Sequence, residues 1–515
     1  MISPDLSDPL ARQPASRRAW LGLAVLVLPT LLLALDMTVL HLAAPHLSAD
    51  LQPTSSQLLW ILDIYGFMVA GFLITMGTLG DRIGRRRLLL IGALAFGVAS
   101  VAAAFANSAG MLILTRALLG IAGATLMPST LSLIRNMFHL PQERTLAITI
   151  WMTGFIVGTA IGPLVGGVML EFFWWGSVFL LAVPVMVLLL VVGPLLLPEF
   201  RDEQAGRLDL ASALLCVSAL LLLIFGMKDT AREGVNLLAS LAMLAGGVVG
   251  LAFIGRQRRL TDPMFDMSLF SRPSFAVSVA AMLLSILALS GAWLMIFQYL
   301  QGVAGLTALQ AGLVMLPAAL VQTVASLFVP RLARVFTPGH FVTAGLLVAM
   351  LGLLSLLLIQ GRDGIGLMVC GTVLLGVGVM PMMILGTDLV VGSAPPEKTG
   401  AAAATSETAT ELGMAMGIAV IGSIGAAVYR RHMAAGIPEG LSAEQIEVAS
   451  DTLGGALGIV DGLPAELAQA LLAVVQTSFA EALHVNALIG AAIMAGTALL
   501  TWTCLRKVKL AEGGH

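Results

Sequence analysis

Charge is what this sequence has least of. Aspartate, glutamate, lysine and arginine make up 11% of its 515 residues, where a soluble domain carries about a quarter. The hydrophobic share is 58% and the mean hydropathy +0.98. This excludes a soluble globular chain, because no soluble core absorbs so much apolar sequence. Cysteine is scarce as well. Cys216, Cys370 and Cys504 fall within or at the end of apolar runs and have no metal-ligand spacing, so they read as packing residues rather than a metal centre. A phosphate loop is also missing: "GTLGDRIG" (77–84) has neither the lysine nor the strand-to-helix setting that such a loop requires. Nothing points to ATP use, an enzyme, a cofactor or a nucleic-acid partner.

What is present is a series of apolar runs of about 20 residues, the length at which an α-helix crosses ~30 Å of hydrocarbon. Read between charged and Pro/Gly-rich breaks, they predict fourteen spans: 19–41, 57–79, 88–106, 110–134, 145–170, 176–197, 208–227, 235–255, 274–298, 308–330, 340–359, 364–391, 399–428 and 482–505. The fold class is therefore an all-α polytopic membrane protein. The first run continues past the apolar core of a signal peptide and meets Asp36, so it counts as a span. An even count puts both ends on one side, and basic residues favour the cytoplasmic side. With both ends inside, only Lys228, Arg232, Arg362, Arg430 and Arg431 fall outside, Arg116 lies within a span, and the other lysines and arginines are cytoplasmic. Segment 429–481 becomes a long extracytoplasmic loop. Its stretch "LPAELAQALLAVVQTSFAEAL" (463–483) reads as either a solvated loop or a helical hairpin dipping into the outer face.

"GFIVGTAIGPLVGG" (154–167) places Gly154, Gly158, Gly162 and Gly166 four apart, with Pro163 among them. Each glycine costs ~1 kcal/mol against alanine in a helix interior, so something must compensate. Close approach of a neighbouring helix along the small-residue face supplies it. Neighbours also re-satisfy the carbonyl that Pro163 frees. The pattern recurs: Gly413, Gly417 and Gly422 in "ELGMAMGIAVIG" (411–422) follow Gly158, Gly162 and Gly167 by 255 positions, and "RLARVF" (331–336) follows "LGDRIG" (79–84) by about 252. Two six-helix halves are expected, 19–197 and 274–505, with two inserted helices and their linkers at 198–273 and cytoplasmic tails at 1–18 and 506–515. Repeated halves with a site between them are the architecture of secondary transporters.

Four motifs then resemble the major facilitator superfamily over nearly the whole chain. "LDMTVLHLAAPHL" (35–47) is similar to the first-helix signature of its fourteen-helix drug/proton antiporter branch. "GTLGDRIGRRRLLL" (77–90) is similar to the loop 2–3 signature, "LTRALLGIAGATLMP" (114–128) to that of helix 4, and "GFIVGTAIGPLVGG" to the antiporter signature of helix 5. Within that branch the chain resembles quaternary-ammonium and methyl viologen exporters of the QacA and SmvA kind. The resemblance implies a conformational latch in the 77–90 stretch, where Gly77, Gly80 and Gly84 permit a tight turn, Asp81 caps or pairs with nearby arginine, and Arg82 and Arg85–Arg87 fix topology. It also implies proton coupling at Arg116 and Asp36. Gly158, Gly162, Pro163, Gly166 and Gly167 are the conformational residues of the fifth span.

Intramembrane charges are functional candidates because burial is expensive, ~2.5 kcal/mol or more for an arginine. Arg116 should therefore face the interior beside a partner. Four acidic residues inside spans are singled out, Asp36, Asp63, Glu407 and Glu411. Glu407 and Glu411 share a helix face one turn apart, roughly 12 to 18 Å from the start of their helix, and are the best pair for binding a cation. Asp63 sits near the outer start of the second span, where solvation is an alternative. The tenth span, "LPAALVQTVASLFVP", carries Gln322 where the resembled exporters of dicationic drugs have an acid, so dication handling through that position is not carried over. Aromatic and methionine walls suit lipophilic cations; Tyr65, Trp151 and Trp293 are candidates beside the carboxylates. The expected function is a monomeric, proton-coupled exporter of lipophilic cations such as quaternary ammonium biocides, methyl viologen and ethidium-type dyes in a bacterial inner membrane. The alternatives are a proton-coupled carrier of a neutral or anionic metabolite, and a non-transporting receptor or scaffold.

Overall fold

The computed structural model describes residues 14–201, 209–260, 263, 265–333, 335–359, 361, 364–394, 399–460 and 462–506. Of the topology-setting cations, Arg12, Arg207, Arg334, Arg362, Lys398, Lys507 and Lys509 lie outside the described residues. The helices of the first half are α1 (Arg17–Leu51), α2 (Ser55–Ile83), α3 (Arg85–Ala104), α4 (Ala109–Met137), α5 (Pro141–Phe172), the one-turn α6 (Ser177–Leu180) and α7 (Ala182–Leu196). An inserted pair follows, α8 (Leu210–Glu233) and α9 (Leu237–Gln257). Then come α10 (Pro273–Gln298), α11 (Ala308–Leu332), α12 (Pro338–Ser355), α13 (Ile365–Gly392), α14 (Thr399–Gly436), α15 (Ala443–Asp451), α16 (Leu453–Val460) and α17 (Ala465–Leu505). Thirteen segments are long and apolar enough to cross a membrane, α6 and α7 counting as one, and the bent α5 makes fourteen. No strand occurs among the described residues.

Local chemistry explains where helices start and bend. Helix α2 begins in a capping box, with the Thr54 N–H donating to the Gln57 side chain at 3.0 Å and the Gln57 N–H to Thr54 Oγ1 at 3.2 Å. Helix α11 begins the same way through Thr307 and Gln310, at 3.0 and 3.2 Å. Both boxes satisfy otherwise orphaned backbone donors. They also stand at matching places in the two halves, a correspondence that the glycine spacing alone does not reveal. Helix α5 bends by 44° between Thr159 and Ile161, where Pro163 removes the hydrogen bond to the carbonyl four residues back.

The glycine stripe packs as its spacing requires. A Cβ on Gly154 would stand 2.5 Å from Val27 Cγ1, on Gly158 2.3 Å from the Leu31 carbonyl oxygen, on Gly162 1.8 Å from Thr38 Oγ1 and on Gly166 2.9 Å from Val39 Cγ1. Helices α1 and α5 thus meet backbone to backbone. In the second half, α14 lies on α10 in the same manner: a Cβ on Gly413 would stand 2.7 Å from the Leu283 carbonyl oxygen, and one on Gly417 2.3 Å from that of Leu287. The third glycine of each set faces the opposite half: Gly167 meets Leu309 of α11, and Gly422 meets Leu59 of α2.

Fourteen spans, an even number, bring the start of α1 (Arg17) and the end of α17 (Leu505) to one face of the bundle, called here the terminal face. At the opposite face α16 is wedged between α1 and the end of α10. Cβ atoms on Gly454 and Gly302 would stand 2.4 Å from Ser48 Cβ and 2.3 Å from Leu453 Cδ2. Gln301 donates to the Leu42 carbonyl at 2.9 Å, and Arg430 reaches Ser55 at 2.5 Å and Asp451 at 3.5 Å. Segment 429–481 is accordingly a helical cap rather than a solvated loop. Its apolar stretch is neither loop nor hairpin but the first half of α17, which runs unbroken for 41 residues. The cysteines also depart from expectation: Cys370 and Cys504 are exposed on their helices and only Cys216 is partly packed.

The inserted pair is not a detached appendage. Helices α8 and α9 close on each other at Gly226 and Gly246. The Asp209 cap of α8 is held by Arg256 at 2.9 Å, and Ser212 accepts from Gln257 at 2.7 Å. Val217 packs onto Gly71 of α2, while Ile224 joins Phe67 of α2 and Ala415 and Ala419 of α14 in one buried cluster.

Candidate functional site: buried charges between the two halves

Arg116 faces the interior beside a partner, as burial demands, and the partner is Asp36. One guanidinium nitrogen donates to Asp36 Oδ2 at 2.7 Å, and Nε reaches the Ile61 carbonyl at 3.3 Å. The guanidinium lies 4.7 Å from the Tyr65 ring centroid and 5.9 Å from that of Phe179. Arg116 is 1% exposed, whereas Asp36 keeps partial access. Helix α4 can deliver this side chain because Gly120 and Gly123 let α2 approach: Cβ atoms there would stand 2.5 Å from the Tyr65 carbonyl oxygen and 2.8 Å from its hydroxyl. Tyr65 lies under the Arg116 guanidinium and within electrostatic reach of Asp36 and of Glu411 on α14. His41, a buried member of the α1 motif, is within electrostatic reach of Arg116, and its Nδ1 has no hydrogen-bond partner among the described residues.

Glu411 and Glu407 lie one turn apart on α14, within electrostatic reach of each other. Glu411 is 2% exposed and its Oε2 is unpartnered, while Glu407 is half-buried. A buried carboxylate oxygen with no fixed partner is a candidate to take up a cation or a proton.

Two expectations from the sequence need correction. Asp63 is not solvated at the outer start of its helix but 1% exposed, and Lys228 is not an outer-loop cation. Helix α8 continues past the end of its apolar run and carries the Lys228 ammonium to 2.7 Å from Asp63 Oδ2. It lies 3.9 Å from the centroid of Trp60. Arg116 is therefore not the sole basic residue within a span. The sequence signal is faint: the lysine ends an apolar run, and only the helix-compatible "DTARE" behind it shows that the helix goes on.

The remaining candidates are placed as follows. Trp151 donates to Thr130 Oγ1 at 3.2 Å and joins α5 to α4. Gln322 donates to the Thr372 carbonyl at 3.2 Å and packs on Gly376, joining α11 to α13. Trp293 is half-buried and stacks on Phe297 at 5.5 Å. No described contact ties these three to the Asp36–Arg116–Tyr65 group. In the latch stretch, Asp81 pairs with Arg85 at 2.7 Å. Gly84 adopts φ +111°, which favours glycine, and a Cβ there would stand 2.5 Å from Glu199. Glu199, which the sequence does not single out, accepts from the Arg86 N–H at 3.0 Å and pairs with its guanidinium at 3.5 Å. Arg82 is exposed without a described partner, and Gly77 has only Pro128 nearby, at 3.9 Å.

Thirteen or fourteen membrane-length apolar helices around buried, partly unpaired charges mark a multi-pass membrane protein among the described residues. Such a bundle needs closely related members before its lineage can be stated, and they are abundant. The Major Facilitator Superfamily profile matches residues 26–418, and the chain belongs to that superfamily. The multidrug efflux pump LfrA of Mycolicibacterium smegmatis is 43% identical over 490 residues, covering 95% of this chain and 97% of the relative. The methyl viologen resistance protein SmvA of Salmonella typhimurium is 37% identical over 474 residues, covering 90% and 93%. Among solved structures, an inward-facing, occupied bacterial homologue of the human lysosomal transporter Spinster matches with TM-score 0.64. It shares 17% identity, covers 96% of this chain and 99% of the other, and shows the common fold.

Proposed function

We propose that this protein is a proton-coupled multidrug efflux antiporter. It exports lipophilic organic cations across a bacterial inner membrane by alternating access, as a monomer with both termini in the cytoplasm. The observation that carries this reading is the Asp36–Arg116 pair at 2.7 Å, together with a buried Glu411 carboxylate oxygen that has no partner among the described residues. A proton on Asp36 weakens its hold on Arg116. A cation arriving at Glu411 and Glu407 meets carboxylates with no fixed partner to displace. The names carried by LfrA and SmvA support drug and methyl viologen export as the substrate range.

In this reading Asp36, Glu407 and Glu411 exchange protons, Arg116 couples to them as the permanently charged partner of Asp36, and Asp63, Tyr65 and Trp293 contribute to cation binding. Trp151 and Gln322, engaged by Thr130 and Thr372, serve helix contacts. The halves 19–197 and 274–505 rock against each other. The cap of α16 and the Gly167–Leu309 and Gly422–Leu59 contacts hold the extracytoplasmic side shut. The Asp81–Arg85 and Arg86–Glu199 pairs fasten α2, α3 and the segment after α7 at the terminal face. One-for-one exchange of a proton with a monocation moves no net charge, so the pH gradient drives it. Each extra proton adds ~2.3 kcal/mol per 100 mV of potential.

The test is purified protein in liposomes under an imposed pH gradient, following ethidium and lumenal pH. Gradient-driven ethidium movement, lost in Asp36→Asn, is expected. Folded wild-type protein that moves no organic cation while dissipating the gradient with an anionic or neutral metabolite overturns the reading.

A further inference from the structure

The Asp63–Lys228 pair has a cost that packing alone does not justify. Both side chains are essentially inaccessible, at 0% and 1% exposure, and no hydrogen-bond partner beyond each other is found among the described residues. Buried ion pairs with such incomplete satisfaction contribute little stability compared with an apolar pair of similar volume. What the surroundings do provide is a shape for a cation. Trp60, Asp63 and Phe67 follow at helix spacing on one face of α2. The ammonium sits on the carboxylate at 2.7 Å and over the indole face at 3.9 Å. Met227 and Met416 complete an apolar wall around the same cluster. A carboxylate joined to an aromatic face is how proteins recognise organic ammonium ions, and methionine walls adapt to varied shapes. Moreover, the cluster joins α2 of one half to α14 of the other through α8, so any rocking of the halves changes its geometry.

We propose that Asp63 and Trp60 form a subsite for a lipophilic organic monocation, and that Lys228 is a built-in competitor that occupies it in this conformation. The proposal deepens the cation-export reading and rests on it. It gives the inserted helix α8 a role in the transport cycle, that of returning an ammonium ion to the subsite whenever substrate leaves, so that Asp63 is never buried without a cation. Lys228 is a specificity-setting residue in this account, because a substrate must outcompete a tethered ammonium.

The test is equilibrium binding of tetraphenylphosphonium to purified full-length protein in lipid nanodiscs, with thermal unfolding measured in parallel. Lys228→Met removes the competitor at similar volume and is expected to bind about fivefold tighter, while Asp63→Asn/Lys228→Met is expected to lose that gain. Trp60→Leu keeps the ion pair and removes the aromatic face, and is expected to bind about fivefold more weakly. A folded Lys228→Met protein with wild-type or weaker affinity overturns the subsite. So does a gain retained in the double variant. Should Lys228→Met not fold, Trp60→Leu decides, and unchanged affinity there overturns the proposal. Wild-type protein that binds no tetraphenylphosphonium counts instead against the export reading, so the two failures are separable.

Discussion

In the first half, the two singled-out acidic side chains each meet a fixed cation, Asp36 with Arg116 and Asp63 with Lys228. In the second half, Glu407 and Glu411 share a face of α14 with no cation described beside them, although α10 and α14 repeat the glycine packing of α1 and α5. The scaffold is duplicated and the electrostatics are not. A fixed pair stores a charge arrangement that protonation can undo, whereas an unpaired couple leaves a vacancy that a mobile cation can fill.

That contrast can be broken most severely at Arg116. Arg116→Met strands Asp36 in the interior and is expected to destabilise the protein by about 3–5 kcal/mol, as removal of one partner from a buried pair does; thermal unfolding in detergent reads this out. Glu411→Gln has no such partner to strand. It is expected to unfold at or above the wild-type temperature while reducing ethidium transport by about tenfold, the scale of one lost charge-assisted contact. A large drop in unfolding temperature would show that Glu411 is paired after all. Glu407→Gln is expected to cost about threefold in the same assay, because the more deeply buried Glu411 one turn away keeps its charge. At the terminal face, Arg82→Ala is expected to leave transport and stability unchanged, whereas Asp81→Asn lowers stability by up to about 1 kcal/mol through the loss of a partly exposed ion pair. Equal effects of the two would mean that the turn is held by charge density rather than by the Asp81–Arg85 pair.

The parts of this structure that one helix determines by itself are legible in the sequence. The spans follow from apolar length, and the stripe from Gly154 to Gly166 announces a close crossing because nothing else offsets its cost. Asp36 and Arg116 each stand out as charges that lipid forbids. Their pairing does not, since two positions 80 residues apart are joined only when α1 and α4 assemble. Lys228 escapes the sequence for a different reason. Hydropathy marks where an apolar run ends, not where the helix ends, and α8 carries its lysine one position beyond the former. The same confusion hides the first half of α17, although residues 465–489 hold neither glycine nor proline and so nothing that would stop a helix.

The crossing of α1 and α5 has a mechanical consequence. With Gly158 on the Leu31 carbonyl and Gly162 on Thr38, the two helices cannot slide past each other and behave as one stiff lever. One arm of that lever touches the other half where the Pro163 carbonyl rests on Gly312 of α11, a Cβ there standing 2.4 Å away. The other arm carries Asp36. The contact with α11 and the Asp36–Arg116 pair therefore sit on one closely packed helix pair.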